Sequence, residues 1–200
     1  MNISESIKEL QKNHGYKVKE PIIISFGEKE AIKKAFIEAF KIGDQTVKDF
    51  KWYQEYDEVI EWMSDNKGKG LMLIGSSGCG KSIILTKVLP ALFLCFKRKI
   101  LRVYKSRDIA RMDIDELYRY LKRNYIAVDE FGREKDLNEF GTKHNAMEYV
   151  IDECETDMKL LFITSNLNIK QISERYGEHI LDRLKLLCKI VVFRGESLRS

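Results

Sequence analysis

The octapeptide GSSGCGKS, residues 75–82, carries the strongest chemical signal in the chain. It fits the pattern G-x-x-x-x-G-K-[ST]. Its glycines let the backbone of Gly75, Ser76, Ser77, Gly78, Cys79 and Gly80 curl until successive N–H groups face a phosphate. A helix opening at the end of the loop adds its positive dipole end. Lys81 can reach the β- and γ-phosphates, and Ser82 can ligate Mg²⁺. A chance match is on the order of one in a hundred for a chain of this length at ordinary glycine usage. An apolar run before the loop and a helical pattern after it supply the context the motif requires.

A second chemical stretch is YIAVDEF, residues 125–131. An apolar strand there ends in two acids. Asp129 is placed to hold Mg²⁺, directly or through water. Glu130 is a candidate general base that orients and polarises an attacking water. A second carboxylate beside the metal-binding one favours water as the acceptor and disfavours a small-molecule kinase. The third stretch is LLFITSNL, residues 160–167, another apolar strand, which ends in Thr164, Ser165 and Asn166. Polar groups at that end can touch the γ-phosphate or the lytic water, because parallel sheets bind ligands at the carboxyl ends of their strands. A Ser/Asn turn is the plain alternative.

These residues need a scaffold, and the hydrophobic pattern predicts one. Five β-type runs cover residues 71–74, 100–104, 125–128, 160–164 and 190–193, most of them continuously apolar, as in strands buried on both faces. Helical patterns separate them: one after Lys81, one over residues 109–122, one carrying Met147, Val150, Ile151 and Cys154, and one near the end. The alternation predicts an α/β fold with a mostly parallel sheet wrapped by helices. In the last helix Ile180, Leu184 and Leu187 share a face, yet Arg183 lies only about 40° from Leu187, at the stripe's edge. Residues 1–48 differ. Ile3, Ile7 and Leu10 give a short helical pattern, then Pro21 and a β-branched run, then a helix with Ile32, Ala35, Phe36, Ala39 and Phe40 on one face. This segment is expected to dock on the domain formed by residues 49–200 or on a partner.

Composition narrows the class. With 200 residues, 44% hydrophobic and 33% charged, the chain fits one soluble domain plus an appendage. The net charge of +4 permits a nucleic-acid partner without demanding one. Cys79, Cys95, Cys154 and Cys188 show no C-x-x-C spacing, so buried free thiols in a reducing compartment are expected. The start, MNISESIKEL, lacks the apolar stretch of a signal peptide, and the longest apolar run, residues 88–96, is too short to span a bilayer. The expected location is the cytoplasm, with no membrane partner.

The order GSSGCGKS, VDEFGRE, FITSNL, YGEHILDRL, FRGESLRS resembles the AAA+ ATPases of the DnaC/IstB type, bacterial helicase loaders and transposition helpers, over residues 50–200. The resemblance implies a P-loop NTPase sheet of order 5-1-4-3-2 without a C-terminal helical lid, and ATP with Mg²⁺ as ligands. It implies Lys81 and Ser82 in the Walker A roles, Asp129 and Glu130 as the Walker B pair, and Asn166 as a sensor. Arg183, in DRL, matches an arginine finger that reaches a neighbouring subunit's γ-phosphate, and Arg199, in SLR, matches a second sensor. Arg175 lies outside that match and is expected to tolerate change. The chain departs from the pattern at residues 152–155, DECE, where the family commonly carries basic residues, so no phosphate contact is expected there.

The implied activity is ATP hydrolysis by a helicase loader in DNA replication that self-associates in its ATP state and engages a replicative helicase. A transposition helper that engages a transposase is the alternative, and a P-loop kinase a third. Residues 97–111, KRKILRVYKSRDIAR, add a basic row in which Lys105, Arg107 and Arg111 could follow single-stranded DNA. A solvated charged surface is the competing reading.

Overall fold

The computed structural model describes residues 2–14, 19–44, 50–134, 137–139, 142–144 and 146–194. The apolar runs form strands β1 (Gly70–Gly75), β2 (Val103–Lys105) and β3 (Tyr125–Phe131), then, after the hairpin strands β4 (Leu137–Glu139) and β5 (Thr142–His144), β6 (Leu160–Ser165) and β7 (Cys188–Phe193). The hairpin is antiparallel and separate. The other five make one parallel sheet in the order β2-β3-β6-β1-β7. Counted along the chain this is 5-1-4-3-2, the expected order. The central strands bury both faces. Leu71, Leu73 and Phe162 enter one apolar layer, and Met72, Ile74, Leu161 and Ile163 the other.

Helices α1 (Ile3–His14), α2 (Lys29–Gly43) and α3 (Gln54–Ser64) precede the sheet. Spacing of four residues puts Ile32, Phe36 and Phe40 on one face of α2, and all three are fully buried. They pack with Ile24, Phe26, Tyr56, Trp62 and Phe93 in the first layer. Buried Asn66 ties this segment down, accepting from Ile24 N at 2.9 Å and donating to Ile22 O at 3.0 Å. Helix α1 instead leaves Ile3, Ile7 and Leu10 exposed.

After the glycine loop come α4 (Lys81–Ile83), a π-helical turn (Ile84–Val88) and α5 (Leu89–Lys97), one continuous helical run. Pro90 sits in the first turn of α5. Its missing N–H and its ring would disturb a regular helix, and the wider π turn lies where that conflict falls. The predicted helix over residues 109–122 is two: α6 (Ser106–Ile109) and α7 (Ile114–Leu121). Asp113 separates them by accepting from Glu116 N at 2.8 Å as an N-cap. Strand β2 starts later than expected and is short, because Arg98 ends α5 in a left-handed conformation and Ile100 stays exposed. Helix α8 (Ala146–Thr156) follows the hairpin. The last helical segment is also two, α9 (Ile169–Tyr176) and α10 (Glu178–Leu187), divided at Gly177. Among the described residues β7 is the last element.

Cys79, Cys154 and Cys188 are buried, and burial pushes the Cys154 thiol up to about 12. Cys95 departs from the expectation and is exposed, since it lies on the outer side of α5. No described helix is long and apolar enough to cross a membrane.

The aromatic layer yields a contrast in stability. Phe36 is fully buried with its ring 5.2 Å from that of Tyr56. Phe36→Ala should lower unfolding stability by about 3–5 kcal/mol through lost burial and a cavity. The Tyr56 hydroxyl is buried and finds no hydrogen-bond partner among the described residues. Tyr56→Phe should therefore be neutral or stabilising by up to ~1 kcal/mol. Urea melts of both variants check the pair. Equal losses would show that this layer is not packed as described.

Candidate nucleotide site

Strand β1 ends against β7 at Gly75, whose φ is 142°. A Cβ there would lie 2.2 Å from Phe193 O, so only glycine lets the chain turn out of the sheet at this point. The loop then folds back on its own lysine. Lys81 is buried, and its Nζ donates to Gly75 O at 2.8 Å and Ser76 O at 2.6 Å. Burial pushes its ammonium below the usual lysine value, while Cys79 and Asp129 pull the other way. The cation is thus held inside a ring of backbone, facing the cavity.

A bulge in β3 creates the acidic part of the site. Val128 pairs with Ile163 and Phe131 with Ser165, so Asp129 and Glu130 together stand opposite Thr164 alone. In a regular strand successive side chains point to opposite faces. Here Glu130 takes φ 61°, which re-aims the second acid toward the cavity beside the first. Thr164 Oγ1 serves both residues: it donates to Asp129 Oδ1 at 2.5 Å and accepts from Glu130 N at 3.1 Å. The same Asp129 oxygen accepts from Ser82 Oγ at 2.8 Å. The Glu130 carboxylate is bracketed by cations, Lys105 Nζ at 3.4 Å and Arg133 Nη1 at 3.1 Å. Ser106 Oγ holds Glu130 O at 2.8 Å.

One polar cavity of about 190 Å³ gathers the parts. Ser77, Gly78, Cys79, Gly80, Lys81, Ser82, Glu130 and Asn166 line it, together with Thr164 and Arg133. Gly75 and Ser76 form the loop's base through their carbonyls on Lys81. Ser165 turns away and donates to Phe131 O at 2.7 Å, fastening β6 to the end of β3. Ser82 and Asp129 give adjoining hard oxygen donors, which fits Mg²⁺, a metal usually held by few protein ligands and completed by phosphates and water. A larger cavity of about 560 Å³ lies between α2 and α5, but Ala35, Ala39, Ile42 and Leu92 make its lining largely apolar. The chemistry-bearing residues are in the smaller one.

The remaining sequence-derived residues are elsewhere. Arg183 projects from α10 toward α8, where it pairs with Asp152 and with Glu155 at 3.1 Å. The first and last acids of DECE are therefore its partners within the chain, while Glu153 faces Lys159. Lys105 joins the nucleotide cavity through Glu130. Arg107 is exposed beside Asp108, 3.7 Å away, and Arg111 is exposed after α6. Arg175 is tied in: its Nη2 donates to Glu134 O at 2.6 Å, and its guanidinium lies over the Tyr176 ring. Arg199 lies outside the described residues. Sequence reasoning missed Arg133. Its signal was the tight turn implied by Gly132, which carries an arginine three residues beyond the base back toward it.

No family model matches the sequence, and no curated protein matches it. Among solved structures the chain is similar to the DnaC helicase loader, with a TM-score of 0.61 and 18% identity over 81% of this chain and 99% of that one. It is similar to DnaI, at 0.54 and 18% over 82% and 84%. It is also similar to AMPPCP-bound DnaA from Aquifex aeolicus, at 0.50 and 14% over 74% of this chain and 49% of that one. At such identities the likeness is one of fold. The chain shares the fold of these structures, a five-stranded parallel α/β sheet in the order its motifs led us to expect, with the glycine loop, the paired acids and the polar end of β6 converging on one edge of the sheet.

Proposed function

We propose that this chain is an ATP-binding and ATP-hydrolysing helicase loader of DNA replication, with a nucleotide site completed by a neighbouring copy. The observation that carries the reading is the convergence of Lys81, Ser82, Glu130 and Asn166 on one polar cavity, in a fold shared with the DnaC helicase loader. Lys81 exchanges its two carbonyl partners for β- and γ-phosphate oxygens, a trade that relieves a partly desolvated ammonium. Loop N–H groups wrap the phosphates. Ser82 and Asp129 hold Mg²⁺, which neutralises charge on the phosphates when bound. Glu130 orients the attacking water and accepts its proton, and Asn166 steadies the water or the γ-phosphate.

Arg183 is assigned to the neighbouring copy's site. It must leave Asp152 and Glu155 to get there, so self-association in the ATP state competes with an intramolecular ion pair. Within the N-terminal segment, partner docking is assigned to α1, a role supported by its exposed Ile3, Ile7 and Leu10, whereas Ile24, Phe26, Ile32, Phe36 and Phe40 are committed to the core. The partner in this reading is a replicative helicase.

Four measurements bear on it. Lys81→Ala should cut ATP turnover by roughly 10²–10³-fold, as expected for loss of a principal charge-stabilising donor. Unchanged turnover would remove the loop's assignment. Arg183→Ala should leave ATP binding intact but slow hydrolysis in the assembly by about 10³-fold or more. Mixing Arg183→Ala with Glu130→Gln protein should restore part of that activity, because each supplies an intact half of one shared site. No restoration at any mixing ratio would sink the composite site. For single-stranded DNA, replacing Arg107 and Arg111 by Gln should lower the salt dependence of binding by about 0.7 log units per cation. An unaltered slope would make this row a solvated surface.

A further inference from the structure

The turn after Glu130 is built with more care than a connection to a hairpin needs. Gly132 has φ 95°, and a Cβ on it would fall 2.5 Å from Leu167 Cδ1. Its N–H donates to Glu134 Oε2 at 3.0 Å. Glu134 is itself buried, its other carboxylate oxygen is taken by the Tyr176 hydroxyl, and its carbonyl accepts from Arg175. On the other side of the turn, Arg133 N donates to Glu130 O at 3.0 Å. Residue 133 is thus fixed from before and behind. This arrangement presents the Arg133 side chain to the nucleotide cavity, beside Lys81, Ser82 and Asn166.

Its partner there is Glu130 Oε1, at 3.1 Å, and the arginine side chain is 55% exposed. The glutamate end is more sheltered, but a guanidinium this open to water is only modestly held by its partner. A terminal phosphate offers the same guanidinium more charge and a bidentate geometry. We infer that Arg133 is a γ-phosphate ligand acting within its own chain: it sits on Glu130 when no triphosphate is present and moves to the γ-phosphate when ATP binds. The exchange uncovers Glu130 Oε1 for the attacking water, while Lys105 stays at Oε2 and keeps the carboxylate oriented. The inference rests on the ATP reading above, and it is separate from Arg183, which serves a different copy.

The test compares affinities for a non-hydrolysable ATP analogue and for ADP. Arg133→Ala should bind the analogue about tenfold more weakly or worse, as for loss of a hydrogen bond to a charged group, with ADP affinity changed less than about twofold. Arg133→Lys, which keeps the charge but not the fork, should recover part of the loss. Lys81→Ala should weaken both ligands. If Arg133→Ala retains the unmodified protein's ratio of analogue to ADP affinity, the γ-phosphate role is overturned and the ATP reading stands. If the unmodified protein binds neither ligand, both fall together.

Discussion

The arrangement depends on one buried carboxylate oxygen. Asp129 Oδ1 accepts from Ser82, at the start of the helix after β1, and from Thr164, at the end of β6. Three segments far apart in sequence therefore meet on one atom. A carboxylate that is almost wholly inside the protein is tolerable only when its oxygens are hydrogen-bonded. This need is met only if β6 lies between β1 and β3, which is the order the sheet adopts. The strand order and the chemistry are thus two consequences of the same constraint. The bulge in β3 follows from it too. Thr164 has one proton, spent on Asp129, and lone pairs to offer the next N–H, so Glu130 is drawn into the left-handed conformation that aims it at the cavity.

The elements governed by local pattern were legible in the sequence. Continuous apolar runs gave four of the five sheet strands nearly in place, and the glycine loop announced its own conformation. The misjudged features each depended on something the pattern does not weigh. Apolar periodicity runs through residues 109–122, but Asp113 offers its side chain to a backbone N–H and starts a new helix. Residues 100–104 are apolar enough for a full strand, yet β2 is an edge strand with one neighbour and pairs over only three residues. The sequence pattern does not fix what Tyr56 and Trp52 touch. The structure packs their rings against each other and against Phe36.

The site divides in the same way. Lys81, Ser82, Asp129 and Asn166 could be read because their motif spacing is short. Glu130 could be read as an acid at a strand end, but not as one clamped between Lys105 and Arg133. Those contacts come from β2 and from a turn whose geometry is set by buried Glu134 and Tyr176, more than forty residues apart along the chain. Lys105 shows the cost of judging a charge run by composition. Its neighbours Arg107 and Arg111 face solvent, while it reaches the candidate base. Its removal would disturb both proposed roles of the region at once, which is why the two exposed arginines are the cleaner probe of DNA contact.

Arg183 brings these threads to one question of competition. On periodicity it was a cation oddly close to an apolar stripe. In the fold that edge faces α8, where Asp152 and Glu155 meet it. With a basic residue there, repulsion would push the arginine outward at all times. Here attraction holds it against its own chain until something offers more. Each pair is more than one third exposed, so the hold is modest. A triphosphate presented by a second copy, in a cleft from which water is partly excluded, carries more charge and suits a guanidinium's fork. Under the proposed reading, assembly is therefore conditional. Loss of the γ-phosphate would return Arg183 to Asp152 and Glu155, so the same ion pair that restrains the free chain would also help to separate the copies once hydrolysis is complete.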